Sequence, residues 1–164
     1  MSEIAYVNGR YVPTNEATVS IEDRGYQFAG GVYEVIAVAN SHLVDLAPHL
    51  ERLDRSLSNL AIDWPCSERV LKIIFTQLIK RNRLKDGIVY LQVTRGVAPR
   101  NHAFPLAELR SSLVVTVSRA GRPPAQKIAE GVKVVTMPEN RWSRPDIKSV
   151  SLLPNVLAKQ FAAQ

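Results

Sequence analysis

The spacing of apolar residues predicts two amphipathic helices near the middle of the chain. Five leucines recur at helical intervals, namely Leu46, Leu50, Leu53, Leu57 and Leu60. They mark one face of a helix, and Pro48 suits its first turn because a proline there loses no helical hydrogen bond. A second helix is predicted to begin at Ser67 and to bury Val70, Leu71, Ile74, Phe75 and Leu78. A polar stripe on the first helix carries His49, Arg52, Ser56 and Asn59.

Shorter apolar stretches predict β-strands before and after these helices. Residues 4–7 and 10–12 flank Asn8-Gly9, a dipeptide that favours a tight hairpin turn. Further strands are predicted at 32–38, 41–46, 88–95, 113–117 and 131–136. The strands of the first 120 residues are expected to form a mostly antiparallel sheet. This pattern indicates a small α+β domain with two helices.

Residues 121–124 (Gly-Arg-Pro-Pro) predict a linker, because two prolines and a glycine interrupt both helices and strands. We therefore divide the chain into an N-terminal α+β domain at 1–120 and the start of a second, β-rich domain at 121–164. A last helix from about Leu153 carries Val156, Leu157 and Phe161 on one face and reaches Gln164 without a residue that would end it. We expect a truncated second domain that leaves this apolar face partly uncovered.

Composition narrows the class of protein. The chain has 164 residues, of which 46% are hydrophobic and 22% charged, so it is globular rather than disordered. Its single cysteine, Cys66, excludes an internal disulfide and favours a reducing compartment. The longest apolar run, 35–39, is far shorter than the ~20 residues of a membrane-spanning helix. We predict a cytoplasmic protein with no membrane partner and no metal site.

The charge favours a small anionic ligand. Twenty-one Lys and Arg residues outnumber 15 Asp and Glu residues, which gives a net charge of +6. Such a balance is compatible with nucleic acid. The basic residues concentrate only at 80–85, however, and no aromatic residue there could stack on a base. We therefore predict a solvated helix end at 80–85 and no nucleic-acid partner.

Five groups of residues occur in one order along the chain and carry a resemblance to a known family. They are SIEDRGYQF at 20–28, GVYEV at 31–35, HLERL at 49–53, YLQVTRG at 90–96 with RNHAFP at 100–105, and RWSRPDIKS at 141–149 followed by LLPNVLAKQ at 152–160. Together they resemble the fold-type IV pyridoxal-phosphate enzymes, and among these most of all the D-amino-acid aminotransferases. The resemblance covers essentially the whole chain, as the N-terminal part of the family through the cofactor lysine.

The resemblance implies roles for Lys148 and Arg52 in binding pyridoxal 5'-phosphate. Without it, Lys148 is a typical surface lysine, and His49 and Arg52 belong to a solvated polar stripe. By resemblance, Lys148 binds the cofactor covalently, because a primary amine can exchange with a substrate amine and then carry its α-proton. Arg52 binds the cofactor phosphate, a role that suits a guanidinium, and His49 supports it locally.

The resemblance also implies a trap for the substrate carboxylate. Arg100 and His102 are two residues apart and project to one side of an extended segment. In the family such a pair reaches in from the other subunit of a homodimer and acts with a tyrosine, here Tyr33. The implied activity is a ping-pong transfer of an amino group between a D-amino acid, such as D-alanine, and a 2-oxo acid. Tyr90 either lines this site or packs across the sheet.

Two departures from the family pattern keep other readings open. The family commonly has Gly-Asp-Gly where this chain has Ala29-Gly30-Gly31, a turn that positions Tyr33. A truncated chain would also lack the carboxylate that supports the cofactor ring, so we expect weak or no activity from these 164 residues alone. The alternatives are a branched-chain aminotransferase, an aminodeoxychorismate lyase of the same fold, and a non-catalytic fragment.

Overall fold

The Asn8-Gly9 dipeptide forms the predicted hairpin turn, with backbone φ angles of 45° and 99°. The structure is a computed structural model and describes residues 3–105, 109–121 and 123–163. Within these ranges one antiparallel sheet contains β1 (Ile4–Val7), β2 (Arg10–Pro13), β3 (Gly31–Ala39), β4 (His42–Leu43), β5 (Gly87–Thr94) and β6 (Ser112–Arg119). The strand order is β2-β1-β6-β5-β3-β4, and every pair is antiparallel.

The helices lie between and after the strands. They are α1 (Arg24–Phe28), α2 (Leu46–Asn59), α3 (Glu68–Arg81), α4 (Ala125–Glu130) and α5 (Leu153–Ala162). The side chain of Ser67 accepts a hydrogen bond from the backbone N–H of Val70 and so caps α3 where the sequence predicts its start. Among the described helices, none combines the length and the apolar character that crossing a membrane requires.

The core lies between α2, α3 and one face of the sheet. The strand predicted at 88–95 is confirmed as β5, in which Val89, Leu91 and Val93 are buried while Tyr90 and Gln92 on the opposite face are only half-buried. The leucine face of α2 and the apolar face of α3 cover the buried side. The other face of the sheet therefore stays open to a ligand.

The α+β class and both long helices are confirmed, but Val70 of α3 is 42% exposed rather than buried. Two strand predictions also need correction. The predicted strand at 41–46 is shortened to residues 42–43; one more backbone hydrogen bond joins the N–H of Val44 to the carbonyl of Ala37, and α2 begins at Leu46. The predicted strand at 131–136 is wrong: these residues are exposed and form no strand. A strand needs a neighbour to take its hydrogen bonds, and no described strand lies beside them. The domain boundary near residue 120 stays a prediction.

The loop after β5 contains a glycine at a position where a side chain would collide with the backbone. Gly96 has a φ of +95°, and a Cβ added there would overlap the backbone oxygen of Arg110. Gly9 has a similar φ of +99°, but open space surrounds it. We expect Gly9→Ala to lower the free energy of unfolding by about 1 to 2 kcal/mol from backbone strain alone. Gly96→Ala should cost about 3 kcal/mol, because overlap adds to the strain.

Urea unfolding of both variants, followed by circular dichroism, checks this difference. Equal losses of stability in the two variants would contradict the close approach of Gly96 and Arg110.

Candidate active site

The segment that carries Lys148 completes an edge of the sheet. Since β4 pairs only with the end of β3, the beginning of β3 is free on that side. There the N–H of Tyr33 donates to the carbonyl of Lys148 at 3.0 Å, and the N–H of Val150 donates to the carbonyl of Gly31 at 3.1 Å. Side chains alternate along such a segment, so Ser149 is buried while Lys148 projects beside Tyr33.

Two stacked tyrosines support the amine of Lys148 on the open face of the sheet. Its Nζ lies 4.2 Å from the centre of the Tyr33 ring. Tyr33 stacks on Tyr90 with ring centres 5.7 Å apart, and the Tyr90 hydroxyl donates to Oε1 of Gln92 at 2.8 Å. Burial, and then the neighbouring Tyr33, raises the pKa of Tyr90, which keeps this phenol neutral. Tyr90 thus packs across the sheet against Tyr33.

The amine opens into a small polar cavity. Its volume is about 200 Å³, and its lining includes Tyr33, Trp142, Lys148, Ser151 and Asn155. A primary amine beside aromatic rings and hydrogen-bonding side chains suits a flat aromatic aldehyde that a lysine can bind covalently. The donor set therefore fits the cofactor that the resemblance implies.

A buried carboxylate that the motif analysis did not select organises the start of α2. Glu34 is 0% exposed, and its oxygens accept hydrogen bonds from Nε and Nη2 of Arg52 at 2.6 and 2.7 Å. Nδ1 of His49 lies 2.7 Å from the same carboxylate. Hydrogen bonds to Glu34 raise the pKa of Arg52, so the guanidinium stays charged. The sequence could have indicated this residue, because Glu34 is an acidic residue at a position of β3 that faces the apolar core.

The polar stripe on α2 connects Arg52 to the lysine segment. Ser56, one turn after Arg52, is buried and accepts a hydrogen bond from the backbone N–H of Lys148 at 3.2 Å. A guanidinium nitrogen of Arg144 donates to Oδ1 of Asn59 at 2.8 Å. The interpretation of this stripe as merely solvated is therefore wrong, since it holds the segment that carries the amine.

Arg100 and His102 lie on a loop that is held in place by a buried arginine, Arg24. Arg24 is almost fully buried and donates to the carbonyls of Asn101 and His102 at 2.7 and 3.3 Å. The guanidinium carbon of Arg100 and that of Arg24 lie 4.7 and 4.8 Å from the centre of the Phe28 ring. The His102 ring lies 5.3 Å from the same ring. The structure thus brings Arg100 and His102 together, and Arg24 is a further residue that the sequence interpretation missed.

The five predicted site residues fall into separate places within one chain. Tyr33 and Lys148 are in contact, and Arg52 is linked to them through α2. Over the ranges that the structure describes, no hydrogen bond or ring contact joins Arg100 or His102 to Tyr33 or Lys148. A site that uses all five residues therefore requires Arg100 and His102 to lie next to the group that contains Lys148.

The turn that departs from the family pattern keeps β3 in register. Ala29 ends α1 with a φ of 54°, a left-handed conformation. A Cβ on Gly31 would lie 2.8 Å from the backbone oxygen of Val93, so only glycine fits there without a shift. Tyr33 follows in its regular place opposite Gln92. The missing acidic residue thus leaves Tyr33 on the open face of the sheet.

The chain is similar in sequence to D-alanine aminotransferases of other bacteria. The chain is 40% identical to D-alanine aminotransferase of Staphylococcus haemolyticus over 97% of its own length and 56% of that protein. It is 42% identical to D-alanine aminotransferase of Bacillus licheniformis, over 96% and 55% of the respective chains. The chain thus spans slightly more than half the length of these curated relatives.

Solved structures show the same fold. A branched-chain aminotransferase of Thermoproteus uzoniensis matches with a TM-score of 0.81 at 21% identity, over 99% of this chain and 57% of its own. A 4-amino-4-deoxychorismate lyase of Pseudomonas aeruginosa matches with a TM-score of 0.75 at 27% identity, over 95% and 56%. The model of the family described as amino-transferase class IV matches residues 31–164. The resemblance seen in the five motifs is confirmed, and the chain belongs to the class IV aminotransferase family.

Proposed function

We propose that the chain is part of a D-amino-acid transaminase, which transfers an amino group between a D-amino acid such as D-alanine and a 2-oxo acid. The observation that carries this proposal is the amine of Lys148, placed over the Tyr33 ring at the mouth of a polar cavity. The identity of about 40% to D-alanine aminotransferases supports the choice of substrate.

In this proposal the cofactor is pyridoxal 5'-phosphate, held by Lys148 and Arg52. When bound, the cofactor supplies the electron sink that makes the α-proton of the substrate acidic. Nζ of Lys148 removes that proton and returns it, and the Tyr33 ring holds the amine on one side. The guanidinium of Arg52 binds the phosphate at the other end of the cofactor.

We assign the substrate carboxylate to Arg100, His102 and Tyr33, with the first two supplied by the second subunit of a homodimer. An arginine, a histidine and a phenol together fix a carboxylate and thereby decide which face of Cα presents its hydrogen to Lys148. The separation of Arg100 and His102 from Tyr33 within one chain supports a contribution from a partner.

The single free cysteine, Cys66, supports a reducing, cytoplasmic location.

Substrate choice tests the proposal against its alternatives. We expect the purified full-length protein with pyridoxal 5'-phosphate to transfer the amino group of D-alanine to a 2-oxo acid. L-leucine and aminodeoxychorismate, assayed in parallel, serve as the diagnostic substrates of the two alternatives. Activity confined to L-leucine would reject the carboxylate trap, and release of pyruvate from aminodeoxychorismate alone would indicate the lyase. No activity with any of the three would favour a non-catalytic protein.

A further inference from the structure

Glu34 is a charged residue where packing alone would favour an apolar one. Its neighbours on the same side of β3, Val32, Ile36 and Val38, are all buried. Removing a carboxylate from water costs several kcal/mol and is tolerated only when good hydrogen bonds replace the lost water. Glu34 has such bonds, because three nitrogens of Arg52 and His49 lie within 2.7 Å of its oxygens.

The guanidinium of Arg52 has one edge bound to Glu34 and a second edge that is free to bind an anion. The group has five N–H donors along two edges that can each bind two oxygens. Glu34 occupies the edge formed by Nε and Nη2. Nη1 donates to no partner in the described part of the chain, and the Arg52 side chain is 40% exposed. The second edge, formed by Nη1 and Nη2, is therefore available to an anion and cannot rotate away while Glu34 holds the first.

Glu34 also determines that Nδ1 of His49 carries a hydrogen. Both oxygens of Glu34 accept hydrogen bonds from the guanidinium of Arg52, so Glu34 acts as an acceptor in this cluster. Nδ1 of His49, at 2.7 Å, must then donate its proton to Oε2 of Glu34. The contact of 3.3 Å between Nη2 of Arg52 and the same Nδ1 is consequently no hydrogen bond, since both atoms carry hydrogens. The remaining hydrogen of Nη2 stays available on the outer edge of the guanidinium.

We propose that Glu34 is a positioning residue, which orients the outer edge of Arg52 toward the phosphate group of the cofactor. The proposal rests on the function proposed above, in which Arg52 binds that phosphate. It adds that the charge and the length of Glu34 determine how well Arg52 does so, although Glu34 itself touches neither cofactor nor substrate.

The test compares two ligands that differ only in the phosphate group. Affinities for pyridoxal 5'-phosphate and for pyridoxal are measured by fluorescence on the full-length apoprotein. We expect Glu34→Gln to weaken binding of pyridoxal 5'-phosphate about 10-fold to 100-fold, the range for losing an oriented charge-assisted pair, and to leave binding of pyridoxal nearly unchanged. Glu51→Gln, which removes an exposed charge from α2, is the matched control and should change neither affinity.

A double mutant separates positioning from a general structural effect. If Glu34 acts through Arg52, Glu34→Gln should cause no further loss in an Arg52→Lys background. Glu34→Asp, which keeps the charge but has a shorter reach, provides the same comparison should Glu34→Gln fail to fold. Equal weakening of both ligands, or unchanged binding of pyridoxal 5'-phosphate, would overturn the inference while leaving the proposed function intact. Failure of the wild-type protein to bind either ligand would overturn both.

Discussion

Replacing Lys148 with alanine should lower the rate of D-alanine transamination about 1,000-fold or more. In the proposed function this amine both attaches the cofactor covalently and moves the α-proton, and the second role alone is worth about 100-fold to 10,000-fold. The fold should persist, because the backbone N–H and C=O of residue 148, not its side chain, bond to Ser56 and Tyr33. The kcat with D-alanine and a 2-oxo acid measures the loss.

Controls for Lys148 distinguish a missing base from a damaged site. The exposed Lys159 on α5 provides the matched variant Lys159→Ala, which should keep its activity. Adding a small primary amine to Lys148→Ala should restore part of the rate, since a free amine can carry the proton. Borohydride reduction of the wild-type protein with its cofactor should label Lys148. A label on another lysine, or more than a tenth of the activity in Lys148→Ala, would refute the assignment.

The second large effect concerns Arg100. Arg100→Met should raise the KM for D-alanine about 10-fold to 100-fold, because a charge-assisted hydrogen bond to the carboxylate contributes roughly 1.5 to 3 kcal/mol. The substitution leaves Arg24 in place to hold the loop through the carbonyls of Asn101 and His102. Arg10→Met removes an exposed arginine outside the candidate site and should leave the KM unchanged.

Mixing two defective proteins tests whether Arg100 acts across a dimer. Subunits with Arg100→Met retain Lys148, and subunits with Lys148→Ala retain Arg100. If the trap comes from the partner, half of the sites in a mixed dimer regain both residues. Random exchange of subunits should then restore about one quarter of wild-type activity, since half of the dimers are mixed. No recovery in a mixture that forms mixed dimers would show that Arg100 acts within its own subunit or not at all.

Periodicity predicted the parts of the fold that bury a continuous apolar face. The leucines of α2 and the alternating apolar residues of β5 all pack into the same core, so their spacing alone indicates the type of element. The helix α1 was not predicted, because it is short, contains Gly25 and depends on capping by Asp23. The extended segment at 131–136 has β-branched residues but lacks a described neighbour. Whether such a segment forms a helix or a strand therefore depends more on its tertiary contacts than on its local propensity.

The candidate site was only partly accessible to sequence reasoning, for a similar reason. The family resemblance of the motifs selected Lys148, Arg52 and Tyr33, yet neither spacing nor composition could show that Ser56 holds the lysine backbone. Glu34 was part of a motif but was not selected, although its inward-facing position in an apolar strand was visible. Distances between residues far apart in the chain, such as Arg24 and His102, become known only from the fold.

The pairing of the lysine segment with β3 also limits how this chain can change length. Side chains on a paired segment alternate between the two faces of a sheet, so a shift of one residue exchanges the places of Lys148 and Ser149. The amine would then turn from the stacked tyrosines into the apolar core beside Val32. Insertions or deletions between Glu130 and Arg141, where the chain is exposed and forms no strand, leave this register intact. A single-residue deletion between Ile147 and Val150 would instead remove the amine from the site.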